Sequence, residues 1–468
     1  MLKKAIALCF VFFCFVGQPN TIEAEPFLMG TATVEITPPL GYRMSGYFHE
    51  RLSLGTTDPL LAKAMVFSQG DTTAAIVCCD IIGLSPGVTA RSRQKIEKQI
   101  NIPAENISIA ATHSHTGPLY WGVLREHFHE LAVAKEGSDK AESIDYPAFL
   151  VKQLVAVVEQ AKEKMQAVSI SAGYGFENRI AFNRRFMKKD GTAATWIGLN
   201  HPDVVGTAGP IDPEIGLLRF DSLTDKKPLA SLTSYALHLD TVGGQKYSAD
   251  FPYYLQQELT KEYGEQFTSI FAAGTCGDIN HADTQAKKRN TTEQIGMYLS
   301  ESVSKALPGL KPIASPALAV KRAIVSGPKQ QYTAEQIAKA KENLNRVADS
   351  TLPFPERVKA CIITDLEMRP GDDIPLEVHV FRLSSEAAIV TLPGEVFVDL
   401  GLHIKNRSPF ATTLVIELAN DAPGYIPTKK AFAEGGYETI NSRVVPGSGE
   451  EMAATAIRLL NELSEELQ

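Results

Sequence analysis

The chain has 468 residues, of which 44% are hydrophobic and 21% charged, and it carries a formal net charge of −8. This is the balance of a globular protein with a large core. The acidic excess excludes a nucleic-acid partner, which needs a basic face, and speaks against an anionic membrane surface.

The N-terminus comes first. Lys3 and Lys4, the short apolar run 5–16 and the small residue Ala24 before Glu25 have the layout of an export signal. The run is too short to span a bilayer, which takes about 20 residues. Residues 1–24 are therefore expected to be a cleaved signal peptide. Residues 25–468 are expected to be exported, periplasmic or secreted, with no transmembrane anchor.

Hydrophobic periodicity predicts strands over 72–82, 106–111, 167–173, 229–237, 268–273 and 414–418. It predicts helices over 92–100, 146–165, 254–263, 291–305, 334–347 and 450–467, and a hairpin over 374–392 turning at Ser384 to Glu386. The stretch 325–357 reads as mostly helix, a lid or a packing arm. Residues 183–213 read as a long loop rich in Gly, Asp and Pro, either functional or disordered. The alternation predicts an α/β protein in which mixed, partly antiparallel β-sheets pack with helices; no sequence repeat is evident. Cys78 and Cys79 are adjacent in a strand and should face opposite ways. No CxxC pair exists, so the cysteines read as buried apolar residues rather than zinc ligands.

Four apolar runs end in a polar residue able to bind a metal. The first leads into Thr112-His113-Ser114-His115-Thr116-Gly117-Pro118. Histidines at i and i+2 of extended chain face one side, and neutral imidazole is a common zinc ligand. The second ends at His238, the third at Pro393-Gly394-Glu395, and the fourth at Asn420 to Tyr425. Taken singly, each also suits an ordinary role: a hydrogen-bonded turn histidine, a helix-start carboxylate meeting the dipole, a half-buried tyrosine. Together, two histidines and a carboxylate form a set seen in catalytic zinc sites. Spacing alone does not bring them together.

The histidine motif resembles that of the neutral (alkaline, non-lysosomal) ceramidases. Further landmarks of that family recur in order: Thr31 to Pro38, Met44 to Tyr47, Asp80, Asn183-Arg184, Pro393 to Glu395, Asn420 to Thr428, and Tyr437-Glu438. The resemblance runs across nearly all of residues 25–468 and implies a neutral-ceramidase-like catalytic domain. It implies one zinc ion held by His113, His238, Glu395 and Tyr425, with His115, Arg184 and Tyr437 around a scissile amide of a small-molecule or lipid substrate. On that reading Arg184 holds the carbonyl, Arg185 being the alternative alignment. Tyr437 donates to the oxyanion, and His115 passes a proton to the leaving amine.

Two departures stand out. Where the family carries a serine within Gly-Asp-Val-Ser-Pro-Asn, this chain has Gly277-Asp278-Ile279-Asn280-His281-Ala282, and the Asn280 amide is no acyl-accepting nucleophile. Attack by metal-activated water remains, with Asn280 orienting carbonyl or water and His281 an additional candidate base. Residues 25–468 are expected to form the catalytic domain alone, without the immunoglobulin-like domain usual in the family that the chain resembles. Two alternatives to a ceramidase stay open: an exported zinc hydrolase of another acyl amide, ester or modified sugar, and a non-catalytic metal- or ligand-binding homologue. An additional structural calcium or magnesium ion and the oligomeric state are left open.

Overall fold

The computed structural model describes residues 25–467; the predicted signal peptide lies outside the described residues. Side-chain alternation within single strands sets the layers. In strand Thr72–Cys79, Ala74, Ile76 and Cys78 enter one core, while Ala75, Val77 and Cys79 enter another. Cys78 and Cys79 thus face opposite ways, as strand geometry requires. Both are free and buried, as are Cys276 and Cys361.

The chain contains a threefold structural repeat that the sequence does not reveal. Each unit is an antiparallel three-stranded meander, a crossover helix, a fourth strand parallel to the third, and a closing helix. In the first unit the strands are Leu28–Glu35, Leu61–Gln69, Thr72–Cys79 and Ile107–Ala111, with helices Pro86–Ile100 and Tyr146–Glu163. In the second they are Gln166–Phe176, Glu214–Ser222, Pro228–Tyr235 and Thr268–Ala273, with helices Phe251–Tyr263 and Thr292–Ala306. In the third they are Pro316–Pro328, Asp373–Ser384, Ala387–Thr391 and Thr412–Ile416, with helices Val398–Arg407 and Ser448–Glu465. In each unit the two helices pack on one another.

The first two units join through Leu28–Glu35 and Gln166–Phe176 into a nine-stranded sheet that also takes in Lys311–Pro312; the third unit forms its own four-stranded sheet. The inner faces of both sheets meet in one apolar core containing Phe67, Ile76, Ile170, Leu218, Phe381 and Ile389. Three further cores lie on the outer faces, each beneath one unit's helices. The parallel strand pairs bring the three units together. Asn420 ties the third unit to the first: its N–H donates to Ile109 O at 2.7 Å, and its Oδ1 accepts from Ile109 N at 2.9 Å. Glu417 N donates to Ala273 O at 2.9 Å and ties the third unit to the second.

Two predicted regions differ. The stretch 325–357 is not mostly helix: strand Pro316–Pro328 runs into it, helix Ala334–Leu344 follows, and a second helix, Phe354–Met368, begins near its end. That strand is half-exposed and alternates weakly, so its apolar signal is diluted, while Pro355 pre-sets the first turn of the second helix. The 183–213 loop is partly ordered as a three-stranded sheet of Arg185–Lys188, Ala193–Thr195 and Val204–Thr207.

Candidate metal centre

The ends of the parallel strand pairs form the floor of the site, and the first connection of each unit forms its roof. His113 follows strand Ile107–Ala111, His238 follows Pro228–Tyr235, Glu395 follows Ala387–Thr391, and Tyr425 lies beyond Thr412–Ile416. The connection after Leu28–Glu35 brings Tyr47 and Phe48 over them. The next unit brings Arg184 and Trp196, and the third brings Phe354, Cys361, Ile362 and Asp365.

The three histidines converge. His113 Nε2 is 2.9 Å from His238 Nε2 and 3.2 Å from His115 Nε2. Glu395 Oε2 lies 3.4 Å from His113 Nε2 and 3.9 Å from His238 Nε2. His113 holds a left-handed backbone (φ 82°), a strained conformation kept where the surroundings determine it. His113 Nδ1 lies 2.7 Å from Ile82 O. A proton donated there leaves Nε2 as a bare lone pair facing two other ring nitrogens. Among the described residues, Glu395 Oε2 is buried with no hydrogen-bond partner.

This donor set fits a zinc ion. Its separations bracket the roughly 3.3 Å edge of a tetrahedron built on ~2.0–2.1 Å bonds, and imidazole nitrogen with carboxylate oxygen is a zinc donor set. Protonation agrees. Burial pushes the His238 imidazole well below its usual range. Burial and neighbouring His113 push His115 down to about 4. Burial alone would raise Glu395, but His113, Tyr425 and Arg184 outweigh it and hold the carboxyl below its usual range. His238 and His115 are thereby held neutral and Glu395 ionised, so these donors are presented without competing protons.

Tyr425 stands beside them and accepts a hydrogen bond from Arg184 Nη2 at 2.9 Å. Burial holds its phenol neutral against the opposing pull of Arg184. Arg184 also donates from Nη2 to Gly277 O at 2.7 Å and from Nε to Glu438 at 3.0 Å. The guanidinium is thus seated behind Tyr425, while Arg185 pairs with Glu434 and Glu438. Gly277 is required there, since a Cβ would sit 2.5 Å from Glu395 O. Tyr437 completes the wall. Its ring contacts those of Tyr425, Phe354 and Trp196 at 5.4, 5.6 and 5.0 Å, and its hydroxyl accepts from Asn441 Nδ2 at 2.9 Å.

A cavity of about 220 Å³ opens from this floor, bounded by His113, His115, Glu395, Tyr425 and Tyr437. Its walls are largely apolar and aromatic, with Phe48, Leu119, Trp121, Val123, Leu124 and Ile362; Asp365, Asn441 and Arg443 give it one polar side. Asn280 lies buried on the short strand Ile279–Asn280, and its Oδ1 is occupied by Ala282 N at 3.0 Å.

The structure thus gathers the predicted residues His113, His115, His238, Glu395, Tyr425, Arg184 and Tyr437. Sequence reasoning missed Asp240, whose Oδ1 lies 3.1 Å from His281 Nδ1. The available signal was its position two residues beyond His238. It named Glu438 only as a landmark and gave no role to this buried carboxylate, which anchors Arg184 and Arg185, and it missed Glu417, which accepts from the Cys276 and Val396 N–H groups behind Glu395.

No protein-family model matches the sequence, and no curated protein matches it. Solved structures do. The chain is similar to the neutral ceramidase from Pseudomonas aeruginosa, with a TM-score of 0.73 and 17% identity over 94% of this chain and 75% of that one. It is similar to a ceramidase solved in complex with C2, with a TM-score of 0.70 and 15% identity over 94% of this chain and 76% of that one. Residues 25–467 adopt a neutral-ceramidase-like fold.

Proposed function

We propose that this protein is a zinc-dependent hydrolase that cleaves the amide bond of an N-acyl substrate, ceramidase-like in chemistry, with residues 25–468 as its exported catalytic domain and 1–24 as the export signal. The observation that carries this reading is the convergence of the His113, His115 and His238 Nε2 atoms with the buried, unpartnered Glu395 Oε2 at the floor of an apolar cavity. His113, His238, Glu395 and Tyr425 hold the ion. Zinc supplies Lewis acidity there, polarising a carbonyl and lowering the pKa of water to about 7.

The chain's own residues do the rest. The apolar walls around Phe48, Leu119, Trp121 and Ile362 take up the acyl group and exclude bulk water. The polar side formed by Asp365, Asn441 and Arg443 faces the amine portion. Tyr437, kept neutral by burial, presents its hydroxyl to the oxygen that becomes negative as the carbonyl is attacked. Arg184 fixes the Tyr425 hydroxyl and, through it, the carbonyl side of the site. The Asn280 amide orients the substrate carbonyl or the attacking water and forms no covalent bond. The fold it shares with enzymes that act on ceramide favours a lipid amide.

The test is fatty-acid release by the purified, zinc-loaded protein from ceramide and from a panel of N-acyl amines and esters, with His113→Ala alongside. Release from an amide by the wild type, lost in the variant, supports the reading. Zinc bound at one per chain with no hydrolysis of any panel member refutes it.

A further inference from the structure

The polar side of the cavity is a constructed wall. The backbone of Ser442 pairs with Gly424 and Tyr425, which sets Asn441 and Arg443 beside the proposed ligand Tyr425. Gly424 leaves room for them: a Cβ there would sit 2.8 Å from Asn441 O and closer still to Arg443 Nη1. Helix Phe354–Met368 supplies the other half, with Cys361 and Asp365 one turn apart on the face toward the cavity. Arg443 Nε donates to Asp365 Oδ2, and Arg443 Nη1 donates to Pro423 O at 3.2 Å. Arg369 Nε donates to the same Asp365 oxygen at 2.9 Å, and its Nη1 donates to Asp421 Oδ2 at 3.4 Å.

The formal charges of this wall balance, Arg369 and Arg443 against Asp365 and Asp421, so it offers no excess charge to a cation or an anion. Its three cavity-lining residues still keep one polar atom each in reserve. Among the described residues, Asp365 Oδ1, Arg443 Nη2 and Asn441 Oδ1 have no hydrogen-bond partner in the chain, and none of the three is sealed from the cavity. Burial would raise the Asp365 carboxyl, but Arg443 and Arg369 outweigh it and hold it below its usual range, so Oδ1 only accepts. Two acceptors beside one forked donor match hydroxyl groups, each of which both donates and accepts. An alkyl chain laid there would leave all three atoms unpaired. The apolar wall, with Phe48, Leu119 and Trp121, comes from the first unit. The cavity, at about 220 Å³, is below the roughly 300 Å³ at which pockets for drug-sized ligands begin. It has one side for one hydrocarbon chain and no room for a second.

Resting on the hydrolase reading above, we propose that the substrate is the amide of a compact, polyhydroxylated amine of the amino-sugar type, and that Asp365, Asn441 and Arg443 select it over an alkyl amine. The acyl chain lies along the first unit's wall and the sugar ring against the third unit's. There Asp365 Oδ1 and Asn441 Oδ1 accept from ring hydroxyls, and Arg443 Nη2 donates to one. One water is consumed: its hydroxyl joins the acyl carbon as the C–N bond breaks, and its remaining proton goes to the nitrogen, which keeps the bonding pair. Acid and free amino sugar are the products. Ceramide offers hydroxyls beside its nitrogen but brings a second alkyl chain, for which the cavity has no apolar side, and is the poorer substrate.

The experiment measures kcat/KM for N-octanoyl-glucosamine, N-octanoyl-cyclohexylamine and octanoyl ceramide, which share the acyl chain and differ in the amine. The zinc-loaded wild type is expected to favour the glucosamine amide over the cyclohexylamine amide by about 100-fold or more, since a site built to bond hydroxyls rejects an analogue that lacks them, and over the ceramide by about tenfold or more. Arg443→Gln and Asp365→Asn should each shrink the glucosamine-to-cyclohexylamine ratio about tenfold or more, mainly through KM for the glucosamine amide. Zinc content and a cooperative unfolding transition show that each variant is folded; Arg443→Lys, which keeps the charge and loses the fork, replaces Arg443→Gln if that variant is not. A wild-type ratio near one, a ceramide turned over as well as the glucosamine amide, or an unchanged ratio in the folded variants overturns the inference and leaves the hydrolase reading intact. Absence of turnover of any amide by the zinc-loaded wild type overturns both.

Discussion

Arg184→Met tests whether the buried arginine is the keystone between the second and third units. Its Nε–Glu438 bond of 3.0 Å, Nη2–Gly277 O bond of 2.7 Å and Nη2–Tyr425 bond of 2.9 Å are all buried. Methionine fills much of the volume and restores none of these bonds. All three bonds are made by a charged group, and removing one partner of a buried ion pair typically costs about 3–5 kcal/mol. The expected loss is therefore about 4 kcal/mol. Glu438, fully buried, keeps only Arg185 and Thr195 as side-chain partners. Guanidinium chloride unfolding followed by tryptophan fluorescence reports on this region, because Trp121 lines the cavity and Trp196 lies over Arg184. Glu438→Gln should show a similar loss, and the double variant should reveal a coupling of about 2 kcal/mol or more. A loss below about 1 kcal/mol in Arg184→Met, at unchanged m-value, would refute the reasoning.

Further outcomes follow from other parts of the structure. Metal analysis of His113→Ala and His238→Ala should show zinc well below one per chain, whereas Trp196→Phe, which leaves every proposed ligand in place, should keep it. Gly277→Ala places a Cβ against Glu395 O and should weaken zinc about tenfold or more in a chelator competition; unchanged affinity would show that this close approach does not set the position of Glu395. Burial, helped by nearby Asp240 and opposed by bonds from Thr241, Phe251 and Val242, pushes the Asp250 carboxyl up to about 6. The folded chain then binds that proton more tightly than the unfolded one, so its contribution is full below about pH 4 and is lost as pH rises through about 6. The swing is about 3 kcal/mol. Stability of the wild type relative to Asp250→Asn should fall across that window; a pH-independent difference would contradict it.

The fold class was legible because the strands around the site are apolar runs ended by turn residues, as at Ala110-Ala111 before His113 and at Leu392 before Pro393-Gly394. The faces of Cys78 and Cys79 followed from strand periodicity alone. The threefold repeat was hidden because it is a repeat of topology: the three units meet the same packing requirement with different residues, and their first connections differ from a loop to a helical pair. Phe354–Met368 escaped notice although it supplies Cys361, Ile362 and Asp365 to the cavity wall and Phe354 behind Tyr437. The His113 and His115 pair was visible from spacing. His238, Glu395 and Tyr425 were visible singly as polar ends of apolar runs, but their convergence, and the parts of Arg184 and Tyr437, were legible only through the family resemblance, since strand ends far apart in sequence carry no local sign that they converge.

The most direct measurement is fatty-acid release from a ceramide while zinc is titrated into chelated protein. The account predicts no release without metal and a rise that reaches its plateau at one zinc per chain. Release that persists after complete removal of zinc, or a fully zinc-loaded protein that cleaves neither ceramide nor any other N-acyl amine, would contradict it.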